Sequence, residues 1–205
     1  MTAARPRVAI LISSRGSNMS ALIEAARVAD YPAEIALVLS NRPDAAGLTI
    51  AKKGSIATAL VDHKVYAGRE NFERSMQRVL ELHRIDLLCL AGFMRLLSPW
   101  FANRWEGRLI NIHPSLLPAY KGLDTHTRAL ADGVATHGCT AHFVVPAVDA
   151  GPIIMQAAVP VLPDDTAATL AARVLVEEHR IYPMALAHVA RGLAADCAKP
   201  TLPAG

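Results

Sequence analysis

Val8-Ala-Ile-Leu-Ile-Ser-Ser-Arg-Gly-Ser-Asn18 is the stretch whose reading decides the fold. Its first five residues are apolar without alternation, as expected of a strand buried on both faces in the middle of a parallel sheet. A tight polar turn over 14–18 follows, and 19–27 reads as a helix. Strand, small polar turn and helix together offer backbone N–H groups at a helix start to an anion. The turn has one glycine and matches neither G-x-G-x-x-G nor the phosphate loop ending in Gly-Lys-Ser/Thr, so it is no nucleotide signature. Two readings stay open on local chemistry: a cradle for a monophosphate, or a helix start capped by Asn18.

Outward from this unit the alternation of strand and helix continues. Strands are expected over 34–40, 57–62, 86–91 and 109–112, with helices over 45–53, 68–84 and 99–105. In helix 68–84, Phe72, Met76, Val79, Leu80 and His83 recur at helical spacing and read as a packing stripe. This order predicts an α/β protein with a doubly wound, mainly parallel sheet. Ligands in such sheets lie beyond the carboxyl ends of the strands, so the loops 14–18, 92–97 and 111–118 should open on one side. After Pro118 a mobile loop is expected at 119–122 and a helix over 124–133. Extended segments over 136–146 and 151–161 then predict a β-hairpin added to the sheet. A long helix should run from 164 to about 191, with Leu170, Val174, Ile181 and Leu186 inward and Pro183 kinking or dividing it. Pro200 and Pro203 mark a disordered tail. With no repeat or linker, the chain reads as one domain over 1–193 and a flexible tail over 194–205.

Composition excludes several classes of function. The 205 residues are 52% hydrophobic and 19% charged, which suits a single soluble core. A formal charge of +3 fits small anionic ligands and is too weak for a nucleic-acid face. No apolar run spans a bilayer, and the basic start leads into Ser-Ser-Arg-Gly rather than a cleavage site. Cys89, Cys139 and Cys197 are scattered and read as reduced thiols of a cytoplasmic protein, a monomer or homodimer.

The chemistry concentrates in Gly107-Arg-Leu-Ile-Asn-Ile-His-Pro-Ser-Leu-Leu-Pro118. Asn111 and His113 sit two apart at the end of a strand and therefore point the same way. Pro114 ends the ladder there. An amide that donates to an oxyanion beside an imidazole that carries a proton is a catalytic pair; a turn cap and a core histidine are the alternative. Asp149, before Ala150-Gly151, can reach back to orient His113, or serve only as a turn residue. His126, His137 and His142 follow His113 at separations of 13, 11 and 5 residues, which matches no metal-ligand motif, so no metal is expected. No G-x-S-x-G elbow makes Ser115 a nucleophile.

These pieces, taken in order, resemble the phosphoribosylglycinamide formyltransferase (glycinamide ribonucleotide transformylase) family of folate-dependent formyltransferases. The resemblance runs from Val8 to about Leu193. It rests on Leu11-Ile-Ser-Ser-Arg-Gly-Ser-Asn18, Ser40-Asn-Arg-Pro-Asp-Ala-Ala-Gly-Leu48, Ala91-Gly-Phe-Met-Arg-Leu-Leu-Ser98 and Asn111-Ile-His-Pro-Ser-Leu-Leu-Pro118. Gly122-Leu-Asp-Thr-His126, Val148-Asp-Ala-Gly-Pro152 and Glu177-Glu-His-Arg-Ile-Tyr-Pro183 complete it. Asn-x-His-Pro-Ser-Leu-Leu-Pro with a later Asp-x-Gly-Pro is the signal for folate-dependent formyl transfer, and Gly-Ser-Asn at the first turn selects the ribonucleotide branch.

The resemblance implies a Rossmann-like formyltransferase domain. It also implies a reaction in which 10-formyltetrahydrofolate passes its formyl group to the amine of phosphoribosylglycinamide in purine biosynthesis. By the same resemblance Asn111, His113 and Asp149 are the catalytic trio. Gly16, Ser17 and Asn18 would hold the phosphate, and Glu178 would contact the ribonucleotide. Arg69, Met94, Arg95, Leu96, Leu97, Val145 and Val148 would line the folate pocket. Ser14 and Arg15 replace the more familiar Gly-Asn; Lys121 stands where Pro is frequent and Asp124 where His is frequent, which bears on loop closure rather than on the chemistry. A formyltetrahydrofolate deformylase or an inactive nucleotide-binding module is the alternative, and the low charge disfavours the related transfer to tRNA.

Overall fold

The apolar run 8–12 becomes the core of β1 (Arg7–Ile12), flanked in parallel by β2 (Glu34–Ser40) on one side and β4 (Leu87–Leu90) on the other. The computed structural model describes residues 5–197. Its side chains explain the missing alternation. Val8, Ile10 and Ile12 enter one apolar layer with Met19, Leu22, Leu170, Val174 and Tyr182, whereas Ala9 and Leu11 enter another with Phe72, Met76, Leu80, Phe101 and Trp105. A strand covered on both faces gains from every side chain, about 1.5–3 kcal/mol for each large one buried.

β3 (Ala57–Leu60) forms one edge, while β5 (Leu109–His113), β6 (Thr136–Phe143) and β7 (Ile153–Pro160) extend the other side, giving the order β3-β2-β1-β4-β5-β6-β7. β1 to β5 are parallel, and β6 and β7 are the antiparallel addition expected of the hairpin. The strand order reverses between β1 and β4, which makes the carboxyl ends of those two strands the topological switch point.

α1 (Ser17–Ala26), α2 (Ala46–Lys53) and α6 (Ala167–Cys197) cover the Val8 face; α3 (Arg69–Leu82) and α4 (Pro99–Arg104) cover the other. α5 (Thr125–Ala131) packs against α6. The inward stripe of α3 is as expected at Phe72, Met76 and Leu80, but it also buries Glu73 and Gln77. α6 is not divided, and it runs further than expected. It is one 31-residue helix with Pro183 inside, and it ends at Cys197 rather than near 191. Proline costs about 3 kcal/mol in a helix interior. Around it Ile181, Tyr182, Ala185 and Leu186 are fully buried, and the Tyr182 hydroxyl donates to the carbonyls of Leu90 (2.9 Å) and Ile110 (3.2 Å). Tertiary packing therefore outweighs the break. The expected disorder of 198–205 lies outside the described residues.

Cys89 and Cys139 are buried free thiols; burial pushes Cys139 up to about 12 and Cys89 higher still. No described helix is long and apolar enough to cross a membrane.

Candidate active site

The 14–18 turn is shaped by its backbone. Gly16 precedes α1 with φ 72°, a left-handed conformation that disfavours a side chain, and a Cβ there would come within 3.1 Å of Met19 Cε. The first bond of the helix runs from Ser20 N–H to Gly16 O at 2.9 Å. The N–H groups of Ser17, Asn18 and Met19 thus point out of the helix end, with no side-chain cap and no acidic residue in the first turn. Asn18 is not the cap. It lies inside the helix, and its Nδ2 donates to Glu178 Oε2 at 2.6 Å, leaving Oδ1 buried without a partner. Glu178 is itself buried, and desolvation raises its pKa against the opposing Asn18 bond and the charge of His113. Arg15 is exposed beside this turn.

The Asn111 end of the site comes from register. β5 runs parallel to β4 and antiparallel to β6, which sets Asn111 opposite His142 and His113 opposite Thr140. Asn111 Nδ2 donates to His142 Nε2 at 3.2 Å, because His142 Nδ1 donates to Phe143 O at 2.8 Å and so leaves Nε2 as the acceptor of a neutral ring. Burial lowers the His142 pKa, against the Phe143 bond and Asp149, which favours that neutral form. The amide of Asn111 is thereby oriented, with a second N–H left over.

Asp149 holds φ 47° and brings Oδ2 to 3.4 Å from His113 Nδ1, with side-chain exposures of 12% and 7%. Its Oδ1 lies 3.7 Å from His142 Nε2. The structure thus places Asn111, His113 and Asp149 in one cluster and adds His142 to it. Sequence reasoning weighed His142 only as a metal ligand; the antiparallel pairing of β6 with β5 is the signal that reveals its partner. Among the described residues no group of three or more His, Cys, Asp or Glu side chains is arranged to hold a metal ion.

The segment 119–124 closes over this cluster. His113 Nε2 donates to Tyr120 O at 2.9 Å, and Gly122 N–H donates to Asp149 Oδ2 at 2.9 Å. Tyr120 (φ 53°) and Asp124 (φ 56°) are both left-handed without being glycine. Tyr120 O–H donates to Asp132, and Arg128 donates to Lys121 O. The segment expected to be mobile is therefore tied to two of the three candidate catalytic side chains. Behind it the rings of His126 and His137 meet edge to face at 5.2 Å, and burial lowers the pKa of each.

The loops at the switch point carry the remaining candidates. Met94, Leu96 and Val148 expose 66%, 60% and 49% of their surface, large apolar side chains left in solvent on both sides of β5. Arg95 is exposed with them; Leu97 and Val145 are half-buried. Arg69, exposed, opens α3 one turn before Glu73. A separate cleft of about 340 Å³, lined by Gln77, Glu81, Ile85, Arg104, Trp105 and Arg108, borders the opposite, amino ends of β4 and β5.

The family described as formyl transferase matches residues 6–186. The chain is 50% identical over 188 residues to the human trifunctional purine biosynthetic protein adenosine-3, covering 92% of this chain but 19% of that one. It therefore spans about a fifth of that relative. It is 42% identical over 185 residues to phosphoribosylglycinamide formyltransferase of Escherichia coli K12, covering 90% of this chain and 87% of that one. The crystal structure of phosphoribosylglycinamide formyltransferase from Brucella melitensis superimposes with a TM-score of 0.88 at 50% identity, covering 98% of this chain and 100% of that one. With the family model matched over residues 6–186 and the Escherichia coli and Brucella melitensis proteins matched over most of their own length, the chain belongs to the formyl transferase family, in its phosphoribosylglycinamide formyltransferase branch.

Proposed function

We propose that the protein transfers the formyl group of 10-formyltetrahydrofolate to the amine of phosphoribosylglycinamide, giving phosphoribosyl-N-formylglycinamide and tetrahydrofolate in purine synthesis. The observation that carries this reading is the meeting of Asn111, His113 and Asp149 beside an uncapped helix start. The folate co-substrate supplies an activated formyl carbon, and the exposed apolar Met94, Leu96 and Val148 on the flanking loops fit a flat aromatic donor.

The chain's own groups divide the work. The N–H groups at the start of α1, over Gly16, Ser17 and Asn18, hold the phosphate where the helix dipole favours an anion. Glu178 contacts the ribonucleotide from the buried side, oriented by Asn18. Asn111, its amide fixed by neutral His142, aims its free N–H at the formyl oxygen as negative charge develops there. His113, its ring oriented by Asp149 Oδ2 3.4 Å from Nδ1, turns its Nε2–H toward the same oxygen. For His113 Nε2 to donate to that oxygen it must leave Tyr120 O, so 119–122 is the segment that moves during turnover. The acyl group passes directly between substrates, with no covalent bond to the enzyme. A cytoplasmic location fits the buried, protonated thiols.

Ultraviolet difference spectra on mixing the protein with formylated folate test the reading. A change that requires the glycinamide ribonucleotide supports transfer. A change indifferent to it means a hydrolase, and no change means a binding module.

A further inference from the structure

Glu73 is the one acidic side chain in the buried face of α3, fully removed from solvent beside Phe72 and Met76. A carboxyl group in such a place is costly unless it is used for hydrogen bonding. Its contacts go to a single residue: Oε1 accepts the Ser98 N–H at 2.7 Å and Oε2 accepts the Ser98 hydroxyl. The Ser98 hydroxyl in turn caps α4 by accepting Phe101 N–H at 3.3 Å. Ser98 is the last residue of the loop that follows β4, so Glu73 fixes where that loop ends.

The start of the same loop is fixed from the opposite side. Ser13 N–H donates to Gly92 O at 3.1 Å, and Ser13 Oγ accepts Met94 N–H at 2.8 Å while donating to Asn41 Oδ1 at 2.7 Å. Ser13 and Asn41 are both buried. Between these two anchors Met94, Arg95 and Leu96 stand exposed. A loop pinned at both ends by buried polar groups presents its apolar middle in one shape, and a ligand that binds it loses less entropy than one that must order it.

We propose that Glu73 is a positioning residue for the formyl donor, holding the 92–98 loop in the shape that receives the folate. This rests on the transfer reading above. Glu73 touches neither substrate in this account; it acts through Ser98.

The test is steady-state kinetics with each substrate varied in turn, on the wild type and on Glu73→Ala, Glu73→Gln, Ser98→Ala and Ser98→Thr. Losing hydrogen bonds to a charged group costs enough to raise the donor KM about tenfold in Glu73→Ala, with the KM of the phosphorylated amine held within about twofold. Glu73→Gln restores the donor KM, because its amide keeps an acceptor for Ser98 N–H and supplies a donor to Ser98 Oγ. Ser98→Ala, which leaves the Glu73 to Ser98 N–H bond in place, raises the donor KM by about threefold, and Ser98→Thr reverses the effect. Amide hydrogen exchange over 92–98 in the free protein gives a readout independent of activity: faster in Glu73→Ala and Ser98→Ala, wild-type in Glu73→Gln and Ser98→Thr. Should Glu73→Ala fail to fold, the Ser98 pair carries the test alone. Equal movement of both KM values, or an unchanged donor KM with unchanged exchange, overturns the proposal. Absence of transfer by the wild type overturns the functional reading instead, while the exchange pattern still judges the clamp.

Discussion

Two segments border the site and are built in opposite ways. The 13–18 turn is polar and places its one left-handed residue at a glycine, Gly16. The 119–124 segment puts two side-chain-bearing residues, Tyr120 and Asp124, in left-handed conformations and is held by bonds to His113 and Asp149. Each such residue costs about 1–2 kcal/mol. The first segment leaves its helix start uncapped and ties up none of the side chains proposed to act. The second is strained and occupies the very side chains proposed to act, so it must change its contacts in each cycle. The comparison teaches where effects should fall: changes in the turn act on affinity, and changes at the anchors of the segment act on turnover.

The largest effect should come from Asp149→Ala, which removes both the partner of His113 and the anchor of Gly122. Turnover should fall about a hundred- to a thousandfold, the range seen on losing an oxyanion donor, because His113 loses the carboxylate that orients it. A change confined to KM would break the comparison. Next is Gly16→Ala. Left-handed strain of about 1–2 kcal/mol and the crowding of Met19 should raise the KM of the phosphorylated amine roughly tenfold with little change in kcat. A fall in kcat at constant KM would contradict it.

Acidification should weaken the fold, and on the side of the strained segment more than at the turn. His126, His137, His142 and His179 all have pKa values lowered from 6.5, mainly by burial. Groups lowered in the folded state contribute stability that is complete above their unfolded value and lost as pH falls through the folded values. Glu178, raised from 4.5, works in the opposite direction, one group against four. Thermal melts should therefore show a lower Tm at about pH 5.5 than at about pH 7.5. A flat or rising profile would mean that the buried rings are protonated in the fold. The smallest effect is Asp124→Gly, which relieves a left-handed residue whose side chain makes no cap bond. A gain of at most about 1 kcal/mol should lift Tm by roughly 2–4 °C. No gain would mean that the segment is less strained than its backbone angles imply.

What could be read from sequence follows from which forces are local. The apolar runs of β1, β2 and β4 announced buried parallel strands because both faces meet helices, and no partner needed to be known. Asn111 and His113 were legible for the same reason: a period of two on one strand puts them together without any register. His142 was not legible as the partner of Asn111, because that contact exists only once β6 pairs antiparallel with β5 in one register. A cap at Asn18 is one of the two readings the sequence leaves open, because its residue type favours that role. Gly16 takes the position instead, and Glu178, 160 residues away, takes the side chain. Pro183 does not divide α6 for the converse reason: its local penalty is real, but the buried surface of α6 around Tyr182 exceeds it.

The proposed chemistry requires His113 to act on the reacting carbonyl. The direct measurement is the turnover of His113→Ala with both substrates saturating, alongside its thermal melt. A loss of about a hundred- to a thousandfold in a variant that still melts cooperatively is the predicted result. Near wild-type turnover would contradict it.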